Sequence, residues 1–240
     1  MNLSNNKILI TGGASGIGLG LTERFLEENN TVIICGRRES VLNEVKEKYP
    51  TVITKVCDLT NKEDRDNLYN WISKEHNDLN VLINNAGIQQ WMKVTDADFF
   101  ERAEKEVETN VMAPIHLSHL FLNLPSLNTI INVSSALAFI QLAKVPVYCG
   151  TKAFLHSYSE SLRYLLNDRN IEVIEMIPPA INTDLGGIGL HDHAPPVSAF
   201  IDSIFEQLKE QKSKLTFGYS EVVANANPEA LKLAFKQMNP

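Results

Sequence analysis

Apolar residues in this chain fall in short unbroken runs, separated by stretches whose apolar positions recur with helical period. Lys7-Ile8-Leu9-Ile10, Val32-Ile33-Ile34-Cys35, Val52-Ile53-Thr54-Lys55-Val56, Val81-Leu82-Ile83, Ile130-Ile131-Asn132-Val133 and Glu172-Val173-Ile174-Glu175-Met176-Ile177 read as six strands. Runs without alternation belong to strands buried on both faces. The intervening periodicity predicts helices over about 19–28, 39–48, 61–71, 96–122 and 148–168. A helix over about 197–212, a short strand near 215–217 and a helix over 228–237 follow the sixth strand. Strands alternating with helices from end to end predict an α/β, doubly wound domain: a parallel sheet with helices on both faces.

Composition narrows this picture. The 240 residues suit one domain, and 44% hydrophobic residues supply ample core. A net charge of −7 and a pI near 5.4 argue against nucleic acid or an anionic membrane as the partner. No apolar run approaches membrane-spanning length, and Met1-Asn2-Leu3-Ser4 leads into the first strand with no signal-peptide pattern, so a cytoplasmic location is expected. Cys35, Cys57 and Cys149 lie far apart and read as reduced thiols in or beside the core. Residues 184–200, with three glycines, two prolines and two histidines, have the composition of a mobile lid. His191-Asp192-His193 has no further ligands near it in sequence, so no metal site is read there.

Candidate chemistry sits where the strands end. Thr11-Gly12-Gly13-Ala14-Ser15-Gly16-Ile17-Gly18 joins the first strand to the first helix, an arrangement that aims backbone N–H groups and a helix N-terminus at a pyrophosphate. Gly12 permits the tight turn, Gly16 the approach of the phosphate and Gly18 the packing of helix on strand. The alternative is a glycine-rich turn without a ligand. Gly36-Arg37-Arg38 follows the second strand, where a dinucleotide fold reads the adenosine ribose. No carboxylate stands there before Glu39, and arginine suits a 2′-phosphate, so NADP(H) is favoured, with NAD(H) as the alternative cofactor. The other reading leaves both arginines solvated at a helix start. Asp58 is placed either to accept from an adenine amino group or to act as an N-cap-like residue for the helix near Asn61. Asn84-Asn85-Ala86-Gly87 closes the fourth strand.

Tyr148 and Lys152 are four apart and share one helix face. A nearby ammonium favours the phenolate and lowers the ordinary tyrosine pKa of about 10. Ser135, at the edge of the fifth strand, reaches the same space from the other side. Thr109-Asn110 falls in the middle of the long helix: either the helix bends and a freed carbonyl binds water, or the amide is capped or exposed.

The glycine loop, Asn84-Asn85-Ala86-Gly87, a helical asparagine, Ser134-Ser135 and Tyr148…Lys152, in this order, resemble the classical short-chain dehydrogenase/reductase family over about residues 5–185. Within it the chain is similar to a bacterial branch labelled DltE-like, a label drawn from gene neighbourhood and not from an activity. The resemblance implies one Rossmann-type domain over 1–240 with a seven-stranded sheet in the order 3-2-1-4-5-6-7. Residues 1–125 would mainly bind cofactor, and 126–240 would carry catalysis, substrate and lid. It implies an NAD(P)-dependent oxidoreductase moving a hydride between nicotinamide and a small carbonyl or alcohol substrate.

In that scheme Tyr148 is the general acid in reduction and the base in oxidation, and Lys152 lowers its pKa and binds the nicotinamide ribose. Ser135, thirteen positions before Tyr148, holds the substrate oxygen, and Asn110 holds a water that links Lys152 to solvent. Ser15, Ile17, Leu59, Asn85, Ala86, Gly87, Pro178, Ile181 and Thr183 join Gly12, Gly16, Gly18, Arg37, Arg38 and Asp58 where family members touch the cofactor. Pro179 stands where the family usually has glycine, and lacks an N–H, so a backbone contact there would be lost or reshaped. A homodimer or homotetramer through the helices starting near Asp96 and Tyr148 is also implied. A non-catalytic NAD(P)-binding sensor or scaffold is the alternative function; it would be expected to lose one of Ser135, Tyr148 or Lys152, and none is lost. Gln90, Trp91, Ala136, Leu137, Phe139, Val145, Pro179 and Leu185 are candidate pocket walls, favouring an uncharged, moderately hydrophobic substrate.

Overall fold

The computed structural model describes residues 1–239. Strands β1 (Lys7–Thr11), β2 (Thr31–Gly36), β3 (Ile53–Val56), β4 (Val81–Asn84), β5 (Thr129–Val133), β6 (Glu172–Ile177) and β7 (Lys214–Thr216) form one parallel sheet in the order β3-β2-β1-β4-β5-β6-β7. Helices α1 (Gly16–Glu27), α2 (Glu39–Lys48) and α3 (Lys62–Glu75) alternate with the first strands. Two faces of the sheet explain the unbroken apolar runs. Ile8, Ile10 and Ile34 pack with Leu21 and Phe25 of α1 and Leu42 of α2. Leu9 and Ile33 point the other way, to Leu68 and Ile72 of α3.

The helix expected over 96–122 is three pieces: α4 (Phe99–Val107), a π-helical turn (Glu108–Met112) and α5 (Ala113–Phe121). Ala113 N–H bonds the Glu108 carbonyl five residues back, and Pro114, the next residue, has no N–H to give. A carbonyl in this turn is therefore left without an intrahelical N–H, and Asn110 sits in an interruption of the regular helix.

The long α6 (Pro146–Leu166) packs beneath β5 and β6, with Leu162 and Leu166 in the same core layer as Phe121 of α5. Helix α7 (Val197–Lys209) buries Phe200, Ile201, Ile204 and Phe205 against α1. The irregular segment after β6 thus ends at Pro196, not at Phe200, because Phe200 is a core residue on a helix. The short α8 (Tyr219–Ala224) was not expected, and α9 (Pro228–Met238) closes the described chain. Asn239 ties its end back, accepting from Ala143 N–H at 2.6 Å and donating to the Gln141 carbonyl at 2.9 Å. No helix among the described residues is long and apolar enough to cross a membrane.

Candidate active site

A cleft of about 1430 Å³ lies beyond the carboxyl ends of the central strands. At one end is the glycine loop, with Gly12 and Gly16 in left-handed backbone at φ +65° and +52°. A Cβ on Gly18 would lie 2.2 Å from the Gly12 carbonyl oxygen, so only glycine lets α1 start against this turn. Ser15 is extended, no side chain caps the first turn of α1, and Ser15, Gly16, Ile17 and Gly18 line the cleft. An uncapped helix N-terminus with its positive dipole end open to the cleft fits a pyrophosphate.

Asn85 braces this cradle. Its Nδ2 donates to the Thr11 and Gly12 carbonyls at 2.9 and 3.3 Å, while Thr11 Oγ1 accepts from the N–H groups of Asn85 and Ala86, each at 3.0 Å. Arg37 and Arg38 stand exposed on the rim. Asp58 is not the cap of α3: that cap is Asn61, which accepts from Glu63 N–H at 2.8 Å. Asp58 Oδ1 instead accepts from the Thr60 N–H at 3.0 Å and hydroxyl at 2.9 Å, closing a local turn on the cleft wall beside Leu59.

The other end gathers the ionisable groups. Strand alternation sends Ser134 into the core, where its Oγ donates to Glu175 at 2.6 Å, and turns Ser135 to the cleft. Ser135 Oγ accepts from Leu137 N–H at 3.1 Å, capping a 3-10 turn over Ala136–Ala138. Tyr148 and Lys152, on one face of α6, are both buried and both line the cleft. Lys152 Nζ donates to the Val133 carbonyl at 2.8 Å and lies 5.5 Å from the Tyr148 ring centroid. Burial drives Lys152 down to about 8. It also pushes the Tyr148 phenol above its ordinary value, an effect partly offset by the Ser135 hydroxyl. Loss of solvent is thus the leading influence on the phenol, opposite in sign to the lowering expected from a nearby ammonium.

Asn110 is buried, and its side-chain amide is held by the neighbouring chain. Its Oδ1 accepts from Ile88 N–H at 2.9 Å, and its Nδ2 donates to the Ile88 carbonyl at 2.8 Å and to Thr151 Oγ1 at 3.1 Å. It sits just behind the cleft wall: a Cβ on Gly87 would lie 3.3 Å from Asn110 Oδ1 and 3.4 Å from Lys152 Nζ. Pro178, Ile181 and Thr183 line the cleft after β6, and the Pro178 carbonyl accepts from Ala136 N–H at 2.9 Å, tying that strand end to the Ser135 turn. Pro179 is a wall residue there.

Of the expected walls, Trp91, Ala136, Leu137, Pro179 and Leu185 line the cleft. Gln90, Phe139 and Val145 do not: Gln90 bonds Arg102, Phe139 packs on His156 at 4.6 Å, and Val145 is fully buried. Gln89, Leu142, Tyr219 and Met238 take their place. Glu106, one turn before Asn110 and buried beside Gln90, was also not singled out from sequence; its spacing of four from Asn110 was the available signal. His191 lies on the rim. Among the described residues His156, Glu160 and Glu175 bring ligand atoms within 4.8 Å of one another. Glu160 is already paired with Arg163 and Lys214 at 2.9 Å each, and Glu175 with Ser134 and His156.

The sequence pattern of the family described as short chain dehydrogenase matches residues 6–188. The "Uncharacterized oxidoreductase DltE" of Bacillus subtilis (strain 168) is 42% identical over 254 aligned positions, covering all of this chain and 98% of that one. A short-chain dehydrogenase from Burkholderia cenocepacia, solved with NADP, superposes with a TM-score of 0.85 at 26% identity over 98% of this chain and 99% of its own. A short-chain dehydrogenase/reductase from Burkholderia phymatum, solved with NAD, shares the fold at a TM-score of 0.78 and 17% identity, with 90% of each chain covered. With the sheet order and the cleft in place, this chain belongs to the short-chain dehydrogenase family of NAD(P)-dependent oxidoreductases.

Proposed function

We propose that the chain is an NADP(H)-preferring oxidoreductase acting on a carbonyl/alcohol pair, with Tyr148 as general acid in reduction and general base in oxidation. One juxtaposition carries the reading: Ser135, Tyr148 and Lys152 converge in the same cleft whose other end is an uncapped, glycine-bounded helix N-terminus. The nicotinamide, when bound, supplies or accepts the hydride. Ser135 holds the substrate oxygen, and Tyr148 passes a proton to it in reduction or removes one in oxidation. The Lys152 ammonium, charged on the acid side of about 8, stabilises the phenolate this leaves behind. Asn110 holds the wall beside Lys152, and the carbonyl freed in the π turn offers a seat for a water that restores the proton.

Arg37 and Arg38 support the preference for a 2′-phosphate. In the same reading residues 1–125 mainly hold cofactor, and 126–240 carry catalysis and substrate. The apolar walls Trp91, Leu137, Leu142 and Leu185 support an uncharged, moderately hydrophobic substrate. Exposed Phe100 and Val107 on α4 and Phe154 and Leu165 on α6 support a homodimer or tetramer; a monomer mass by light scattering would contradict it. Three free cysteines support a cytoplasmic location.

Calorimetric titration with NADPH and with NADH, followed by a panel of ketones and aldehydes, tests the proposal. Expected are an NADPH preference of at least about tenfold that collapses in Arg37→Ala and Arg38→Ala, and carbonyl-dependent oxidation of NADPH. Preference for NADH would overturn the cofactor assignment. Binding without turnover across the panel would favour the sensor or scaffold reading.

A further inference from the structure

Three polar side chains spaced one turn apart run along the segment 88–91 and bond it at successive points. Asn110 takes both backbone groups of Ile88. Glu106 Oε1 accepts from Gln90 N–H at 2.5 Å. Arg102 donates to the Trp91 carbonyl at 2.5 Å and to Gln90 Oε1 at 3.3 Å, and Gln90 Nε2 returns a bond to the Arg102 carbonyl at 2.9 Å.

The middle rung differs in kind. Glu106 is 0% exposed, and its Oε2 has no hydrogen-bond partner among the described residues. A buried carboxylate is costly, and half of this one is uncompensated, so a purely structural helix face would be better served by an apolar residue. What the rung holds is the wall of the cleft: Gln89 and Trp91 line it on either side of the bonded Gln90. That wall also meets the segment after β6, since a Cβ on Gly186 would lie 2.7 Å from Gln89 Oε1 and 3.2 Å from Trp91 Nε1.

We infer that Glu106 is a positioning residue for the substrate end: its carboxylate, on the Gln90 N–H, sets the 88–91 wall against which Gly186 seats, and a proton taken up by Glu106 loosens that wall. Only the word substrate rests on the proposed function; the clamp stands without it. A hydrogen bond to a charged acceptor is roughly twice as strong as a neutral one, and protonation removes that charge. It also adds an O–H at a buried oxygen that has no hydrogen-bond partner among the described residues. Burial pushes Glu106 up to about 7, against the pull of the Gln90 N–H and of Arg102 on its own helix. The titratable groups facing it from α6 are Tyr148 and Cys149, both pushed upward by burial and so neutral throughout this range.

Trp91 reports on the wall directly, without turnover. In a Trp71→Phe background it is the sole tryptophan, and this removes an indole whose emission His76, edge-on with ring centroids 4.7 Å apart, would itself titrate. Acrylamide quenching of the cofactor-free protein between about pH 5.5 and 8.5 is the measurement. We expect quenching to fall about twofold from acid to alkaline pH with a midpoint near 7. In Glu106→Gln the transition disappears and quenching stays at the acid-side level; in Glu106→Ala it lies at or above that level throughout. NADPH affinity stays within about twofold in all three. A transition that survives in Glu106→Gln belongs to another group and overturns the inference. So does identical, flat quenching in all three proteins. If Glu106→Ala fails to fold, the near-isosteric Glu106→Gln and the unsubstituted titration still decide. A protein that turns over nothing yet shows the Glu106-dependent transition retains the clamp and loses only the proposed function.

Discussion

The two ends of one cleft are built from opposite materials. The cradle is backbone: Gly12, Gly16 and Gly18 leave no side chain in the way, and Thr11 and Asn85 spend their polar atoms bracing main-chain groups. The reacting end is buried charge: Tyr148 is held above its ordinary pKa, Lys152 is lowered to about 8, and Glu106 is raised to about 7. Desolvation is the first cause in all three. One end therefore fails when an atom is added, the other when a charge is changed, and the two failures are separable by measurement.

The largest effect is expected from adding one carbon to the cradle. In Gly18→Ala the new Cβ would sit 2.2 Å from the Gly12 carbonyl oxygen and 2.5 Å from Asn85 Nδ2. The first of these is backbone and cannot move aside, so a loss of roughly 2–4 kcal/mol in stability and of more than about 100-fold in NADPH affinity is expected. Gly150→Ala, on the exposed face of α6 and away from the cleft lining, is the control, because a Cβ there meets nothing within 4 Å. Thermal unfolding and cofactor titration should leave it close to the parent. Equal behaviour of the two variants would break the steric half of the comparison.

At the reacting end the shapes stay and the charges go. Tyr148→Phe should lower kcat at least about 1000-fold with NADPH affinity within about threefold, since the ring still packs but has no proton to pass. Full activity in that variant would refute the proposed mechanism. Lys152→Met should separate stability from turnover. The folded pKa of Lys152, about 8, lies below the ordinary 10.5, so the unfolded chain binds more protons between those values. Stability of the parent then rises with pH across that window, and below about 8 the folded protein bears a buried ammonium at a cost. Removing it should stabilise the cofactor-free protein at pH 7 by roughly 1–2 kcal/mol, after allowing for the bond lost to the Val133 carbonyl, and the gain should shrink toward pH 10. Urea titrations at the two pH values measure this; a destabilised variant at pH 7 would show that packing, not charge, governs the site.

The same contrast explains what was legible in the sequence. Unbroken apolar strands and glycine spacing are local signals, so the sheet, its helices and the cradle could be located residue by residue. Ser135 was separated from Ser134 by family spacing, and strand alternation is the physical reason. Charge in the interior is not a local signal. Glu106 stands among polar helix residues and looks solvated until α6 and the 88–91 segment are packed over it. The sign of the Tyr148 shift likewise depends on how deep the phenol lies, which spacing does not encode. Phe139 and Val145 read as cleft walls in the sequence, but packing decides otherwise: Phe139 lies on His156 and Val145 is closed into the core. Helix α8, six residues long, is too short for a period to show.

Asp58 stands between the two kinds of end and should give the smallest effect. Its Oδ1 is committed to Thr60, like the bracing atoms of the cradle, while its carboxylate also lies on the cleft wall, like the charges of the reacting end. Asp58→Asn keeps an oxygen for the Thr60 turn and converts the second oxygen into a donor, which cannot accept from an adenine amino group. If the second oxygen serves the adenine, NADPH affinity should fall about three- to tenfold with the unfolding temperature nearly unchanged. If Asp58 serves only the local turn, both quantities should match the parent, whereas Asp58→Ala, which removes the turn acceptor, should lower stability by about 1 kcal/mol. We expect the first pattern, because a carboxylate needed only for a turn at Thr60 has no reason to line the cleft; the second pattern would reassign Asp58 to the cradle's scaffolding.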